Sequence, residues 1–70
     1  MTVGTLVQID SRLGWSPLGL VLEVRLPKLG DRTADGYIPN RTQTCAVVSW
    51  ADGNRSVEHV SDMEVIHGSR

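Results

Sequence analysis

Seventy residues suffice for one small domain: a chain of this length buries only about 60 % of the surface its unfolded form exposes. A hydrophobic content of 40 % and a net charge of −1 exclude wholesale disorder. They also exclude any overall field drawing the molecule to nucleic acid or an anionic membrane. Phe is absent and the aromatic residues are Trp15, Trp50 and Tyr37, so a thin core of Val, Leu and Ile is expected.

The lone Cys45 excludes an internal disulfide framework. No apolar run approaches the roughly 20 residues of a membrane helix, and the first residues lack the basic start and long apolar segment of a signal peptide. A soluble, reducing compartment is therefore expected. Asn40-Arg41-Thr42 and Asn54-Arg55-Ser56 fit the glycosylation sequon and are read as chance matches.

In chain order, residues 5–9 (Thr5-Leu6-Val7-Gln8-Ile9) form a first strand between Gly4 and Asp10-Ser11. Residues 10–17 form a loop, with Pro17 forcing Ser16 towards extended backbone. This loop carries Arg12, Leu13 and Trp15, more apolar matter than a solvated loop requires. Residues 18–26 form the second strand, with Leu20, Leu22 and Val24 on one face and Val21, Glu23 and Arg25 on the other. Gly19 is placed for a bulge or bend.

Residues 27–41 are a long connection with Pro27, Gly30, Gly36 and Pro39, five charges, and the apolar Leu29, Tyr37 and Ile38; connections of this length are usually functional or mobile. One helical turn is expected inside it, capped by Asp31 and ended by Gly36. The third strand spans 42–50, with Ala46, Val48 and Trp50 on one face and Cys45, Val47 and Ser49 on the other. A tight turn through Asp52-Gly53-Asn54 leads into a fourth strand at 56–60. Ser61-Asp62-Met63 is a single 3₁₀ turn returning Met63 to the core. Residues 64–67 form a fifth strand, and 68–70 a tail. No segment shows helical periodicity over three turns. The pattern predicts an all-β single domain over 1–70: five strands in a partly open barrel, a long loop between strands 2 and 3, and a 3₁₀ turn before the last strand.

Three stretches, Gly19-Leu20-Val21-Leu22-Glu23-Val24, Val47-Val48-Ser49-Trp50-Ala51-Asp52-Gly53 and Val60-Ser61-Asp62-Met63-Glu64-Val65-Ile66, resemble Src-homology-3-like small barrels of the Tudor and KOW type. The chain is especially similar to short bacteriophage accessory proteins of that kind. The resemblance covers most of the chain and omits residues 27–41. It is specific for fold rather than function, because such barrels serve as peptide readers, nucleic-acid modules and virion parts. The chain departs from the resemblance in having too few aromatic residues for a cage around a methylated cation and too little basic charge for a KOW-type RNA binder.

Trp50 reads as a core plug at the barrel end. Trp15 suits a contact surface and a core cover equally, and Tyr37-Ile38-Pro39 leans towards binding. Cys45 and His59 are the only nucleophile–base candidates; a mid-strand thiol is usually inert, and no third group orients them, so no enzymatic activity is expected. His59, Asp62, Glu64 and His67 do not match zinc-site spacing and read as a solvated acidic edge. No phosphate-cradling glycine loop exists, and no cofactor or metal is expected.

Three functions follow. The first is binding of a larger host or virion protein through Leu13, Trp15, Leu29, Tyr37 and Ile38, as a phage or prokaryotic accessory protein. The second is nucleic-acid binding through Arg12, Arg25, Lys28, Arg32 and Arg41; residues 25–41 hold four basic residues against two acidic ones. The third is a structural role in a virion or assembly, by edge pairing with a neighbour.

Overall fold

A computed structural model describes residues 1–9 and 16–66. It is an all-antiparallel sheet of five strands: β1 (Leu6–Ile9), β2 (Gly19–Arg25), β3 (Cys45–Trp50), β4 (Arg55–His59) and β5 (Met63–Val65). The order is β4-β3-β2-β1-β5. One 3₁₀ turn, Val60–Asp62, links β4 to β5, one residue earlier than expected. The sheet is open, so the structure shows the all-β class and the strand count but not a closed barrel.

β3 is the centre. Ala46, Val48 and Trp50 alternate onto one face, as expected, and pack with Val7, Val21 and Met63. Cross-strand pairing supplies the partners: Val21 faces Val48, Val24 faces Ala46, and Ile9 faces Met63. Val7, Val21, Ala46 and Val48 are wholly buried. The core is thin, as expected, but it rests on Val without the expected Leu and Ile: among the described residues no Leu or Ile is buried, and Leu6, Leu18, Leu20, Leu26, Leu29 and Ile38 are exposed.

β2 departs from simple alternation. Its pairing with β3 shifts between Val21 and Glu23, leaving Leu22 as the extra residue of a bulge. A bulge resets the two-residue period, so Gly19 and Val21 point inward before it and Val24 after it. Leu20, expected to share a face with Val24, lies instead on the outer face opposite Leu6 and is 41 % exposed. Gly19 is not the bulge. It lies opposite Trp50, and a Cβ there would stand 2.6 Å and 2.7 Å from Cε3 and Cζ3 of the indole and closer still to Val48 Cγ1. The missing side chain lets the ring lie against the backbone.

The β3–β4 turn closes as the Asp52-Gly53 pair predicts. Trp50 N–H donates to Asn54 O at 2.8 Å, Gly53 N–H donates to Trp50 O at 2.9 Å, and the Asp52 carboxylate accepts from Asn54 N–H at 3.0 Å. Gly53 has φ +93, a conformation that costs glycine little.

The β2–β3 connection spans 26–44, longer than expected, because β3 starts at Cys45. Asn40 to Gln43 is an Asx turn, the Asn40 side chain accepting from Thr42 N–H and Oγ1–H, and not strand. Nor do residues 31–36 form a helical turn. Asp31 turns its carboxylate back onto Lys28 N–H at 2.6 Å, and Gly36 N–H donates to Thr33 O. Two tight turns replace the expected helix, because Asp31 bonds backwards instead of capping forwards. Val57 N–H, on the outer edge of β4, donates to Arg32 O at 2.9 Å. The connection thus covers an edge that would otherwise be exposed.

Candidate functional site

The long connection, the segment before β2 and the end of β4 enclose a groove. One part of it, about 510 Å³, is lined by Ile9, Ser16 and Pro17 on one side and by Thr33, Tyr37 and Ile38 on the other, with Glu58, His59 and Asp62 also lining it. It continues past Thr33 and Ala34 into a second part of about 390 Å³ bordered by Trp50, Asp52, Arg55 and Ser56.

A buried polar chain fixes its floor. Pairing with β3 places Ser56 opposite Val48 and Glu58 opposite Ala46, so both polar side chains enter the core side, each 6 % exposed. Buried polar groups need partners, and these have them. Trp50 Nε1–H donates to Ser56 Oγ at 2.7 Å, Ser56 Oγ–H donates to Glu58 Oε2 at 2.6 Å, and Ala34 N–H donates to the same oxygen at 2.7 Å. Glu58 therefore ties the long connection to the sheet.

A second tie comes from His59. Its Nε2 accepts from Asn40 N–H at 2.8 Å, while Nδ1 lies 3.4 Å from Asp62 Oδ2. An accepting Nε2 requires the neutral ring with its proton on Nδ1, the nitrogen facing Asp62. On the other wall, Ser16 Oγ accepts from Ile9 N–H at 2.9 Å and Gln8 Nε2 donates to Ser16 O at 3.2 Å. Both walls are thus anchored to strands.

Of the residues expected to bind protein, Tyr37 and Ile38 are brought together on the groove, 71 % and 69 % exposed. Leu29 is 91 % exposed but sits in the Lys28–Asp31 turn, away from the groove lining. Leu13 and Trp15 lie outside the described residues. Sequence reading did not single out Pro17, Ile9 or Glu58 for the groove. Pro17 and Ile9 reach it through the folding of the chain, and only the i, i+2 spacing of Ser56 and Glu58, which puts them on one face of a strand, was available as a signal.

Of the residues expected to bind nucleic acid, Arg25, Lys28 and Arg32 lie around Asp31. Arg25 donates through Nη1 to Asp31 Oδ2 at 2.8 Å, and its Nε lies 3.3 Å from Glu23 Oε1 as an ion pair without a directed hydrogen bond. The Asp31 hydrogen bond, with support from Glu23, raises the guanidinium pKa against the opposing effect of desolvation. The same pair, with Lys28 N–H, holds the Asp31 carboxyl below its ordinary range. Lys28, Arg32 and Arg41 are exposed, Arg32 donating to Asp31 O. Arg12 and His67 lie outside the described residues.

Cys45 is fully buried in the row Arg25–Cys45–His59. Desolvation above all, then the nearby carboxylates of Asp31 and Glu58, push its thiol pKa up, which opposes thiolate formation. Among the described residues no three of His, Cys, Asp or Glu gather as a metal-binding cluster, and no helix is long and apolar enough to cross a membrane. Comparison with protein-family models, curated proteins and solved structures found no match to this chain.

Proposed function

We propose that this chain is a non-enzymatic binding module, a partly open Src-homology-3-like barrel in finer description. It binds a larger protein through the groove between the segment before β2 and the long connection. The observation that carries this reading is the exposure of Tyr37 and Ile38, neighbours in the chain, on a groove that Pro17 and Ile9 also line. Large apolar side chains at the rim of a cleft, on backbone held by hydrogen bonds, are what a protein contact uses. A role as a phage or prokaryotic accessory protein, in the host cytoplasm or the virion, belongs to the same reading and rests on the sequence resemblance.

The test is replacement of Tyr37 and Ile38 together by Ala. Both are exposed, so the melting temperature should stay within the small range of surface substitutions, while capture of a partner from the native host is lost. Undiminished capture by the folded variant would refute the assignment. Engagement of Arg25 by Asp31 and Glu23 removes one cation from the nucleic-acid alternative. A structural role in an assembly is the second reading, favoured by the position of β5 at the sheet edge. Sedimentation that finds a strict monomer at high concentration counts against it.

A further inference from the structure

The groove that carries the proposed binding function has a consistent charge. Asp35, Glu58 and Asp62 all line its larger part, and among the described residues no Lys or Arg does. His59, also there, adds no positive charge while its Nε2 accepts the Asn40 N–H. Among the described residues Arg55 borders the adjoining part, together with Asp52. A chain of net charge −1 thus concentrates three carboxylates beside Tyr37, Ile38 and Pro17. Glu58 is the fixed member, its carboxylate held by Ser56 Oγ–H and Ala34 N–H. Asp35 and Asp62 flank the apolar wall from the connection and the 3₁₀ turn.

We infer that the occupant of this groove is an extended peptide segment of a partner protein carrying Lys or Arg next to an apolar residue. The apolar residue packs on Tyr37, Ile38 and Pro17, and the cation meets the carboxylates. Charge complementarity selects this partner over the alternatives: a nucleic-acid phosphate or an acidic peptide would bring like charge against Asp35, Glu58 and Asp62. A basic residue at this rim gives the contact a salt dependence and a preference for one class of sequence. The inference rests on the protein-binding reading and adds the chemistry of the partner.

The test is selection of binders to the full chain from an unbiased random-peptide display library, followed by affinity measurement of the selected peptides against three proteins. These are the unmodified chain, the Tyr37→Ala/Ile38→Ala variant, and Asp35→Asn/Asp62→Asn, with Glu58 left intact because it holds Ala34. The expected result is a selected set rich in Lys or Arg beside apolar residues. Its binding is lost in the Tyr37/Ile38 variant and weakened about two- to fivefold per carboxylate removed, the usual contribution of a solvent-exposed ion pair. It also falls with added salt. Selected peptides that need Tyr37 and Ile38 but show no basic excess and ignore Asp35→Asn/Asp62→Asn would overturn the partner chemistry and leave the protein-binding reading standing. Failure to select any peptide that depends on Tyr37 and Ile38 would overturn both.

Discussion

Gly19→Ala tests the contact on which the sheet is assembled. The Trp50 indole lies against the Gly19 backbone, and the added methyl would stand 2.6 Å and 2.7 Å from two ring carbons and nearer to Val48 Cγ1, well inside van der Waals contact. Trp50 and Val48 are 5 % and 0 % exposed, so neither has room to retreat. Overpacking of a filled core costs about 1–3 kcal/mol. Against it stands about 0.4–1 kcal/mol gained because alanine narrows the unfolded ensemble. The net expectation is destabilisation by about 1–2 kcal/mol. For a domain of this size that lowers the melting temperature by roughly 5–15 °C and the urea midpoint by about 1–2 M. The assay is urea and thermal unfolding followed by circular dichroism, run as a double-mutant cycle with Trp50→Leu. Removing the ring removes the two indole contacts and leaves that with Val48 Cγ1, so Gly19→Ala should cost about 0.5–1 kcal/mol less in the Trp50→Leu background. A Gly19→Ala variant as stable as the unmodified chain, or a cycle with no coupling, would refute the ring-on-backbone packing.

Two further outcomes follow from the polar groups. Ser56→Ala leaves the buried Trp50 N–H without an acceptor and takes one donor from Glu58, so a loss of about 1–3 kcal/mol is expected in urea unfolding. A loss under about 0.5 kcal/mol would show that the chain of hydrogen bonds is not needed. Asp31 has its native pKa depressed by Arg25 and Lys28 N–H. Its contribution is therefore fully present above the unfolded carboxylate value of about 3.9 and is lost as pH falls through the lower native value. Melting temperature should fall with acidification in that window, and Asp31→Asn should lower stability at neutral pH and flatten this part of the profile. An unchanged profile in Asp31→Asn would assign the acid sensitivity elsewhere.

The 3₁₀ turn, the Asp52-Gly53 hairpin and the inward face of β3 were legible because each is a local matter. A turn needs particular backbone angles from particular residues, and a strand alternates with period two. The faces of β2 were not legible. A single extra residue at Leu22 inverts everything after it, and only pairing with β3 reveals where that residue falls. Ser56 and Glu58 enter the core side for the same reason. Their register opposite Val48 and Ala46 puts them there and leaves Val57 on the other face, where it too is buried.

The groove divides in the same manner. Tyr37 and Ile38 stand out in the sequence as apolar residues in a polar loop, while nothing in it separates Arg25 from Arg32; the fold does, by turning the Asp31 carboxylate onto Arg25. By its own residue pattern the chain determined a small, Val-rich, all-β domain with a long connection before β3, because hydrophobic period and turn chemistry act over a few residues. Only the tertiary structure decided that this connection runs along β4, that Glu58 anchors it, and that Pro17 and Tyr37 line one groove. Those contacts join residues far apart in the chain, and their geometry is set by strand register and by the need to satisfy buried polar groups.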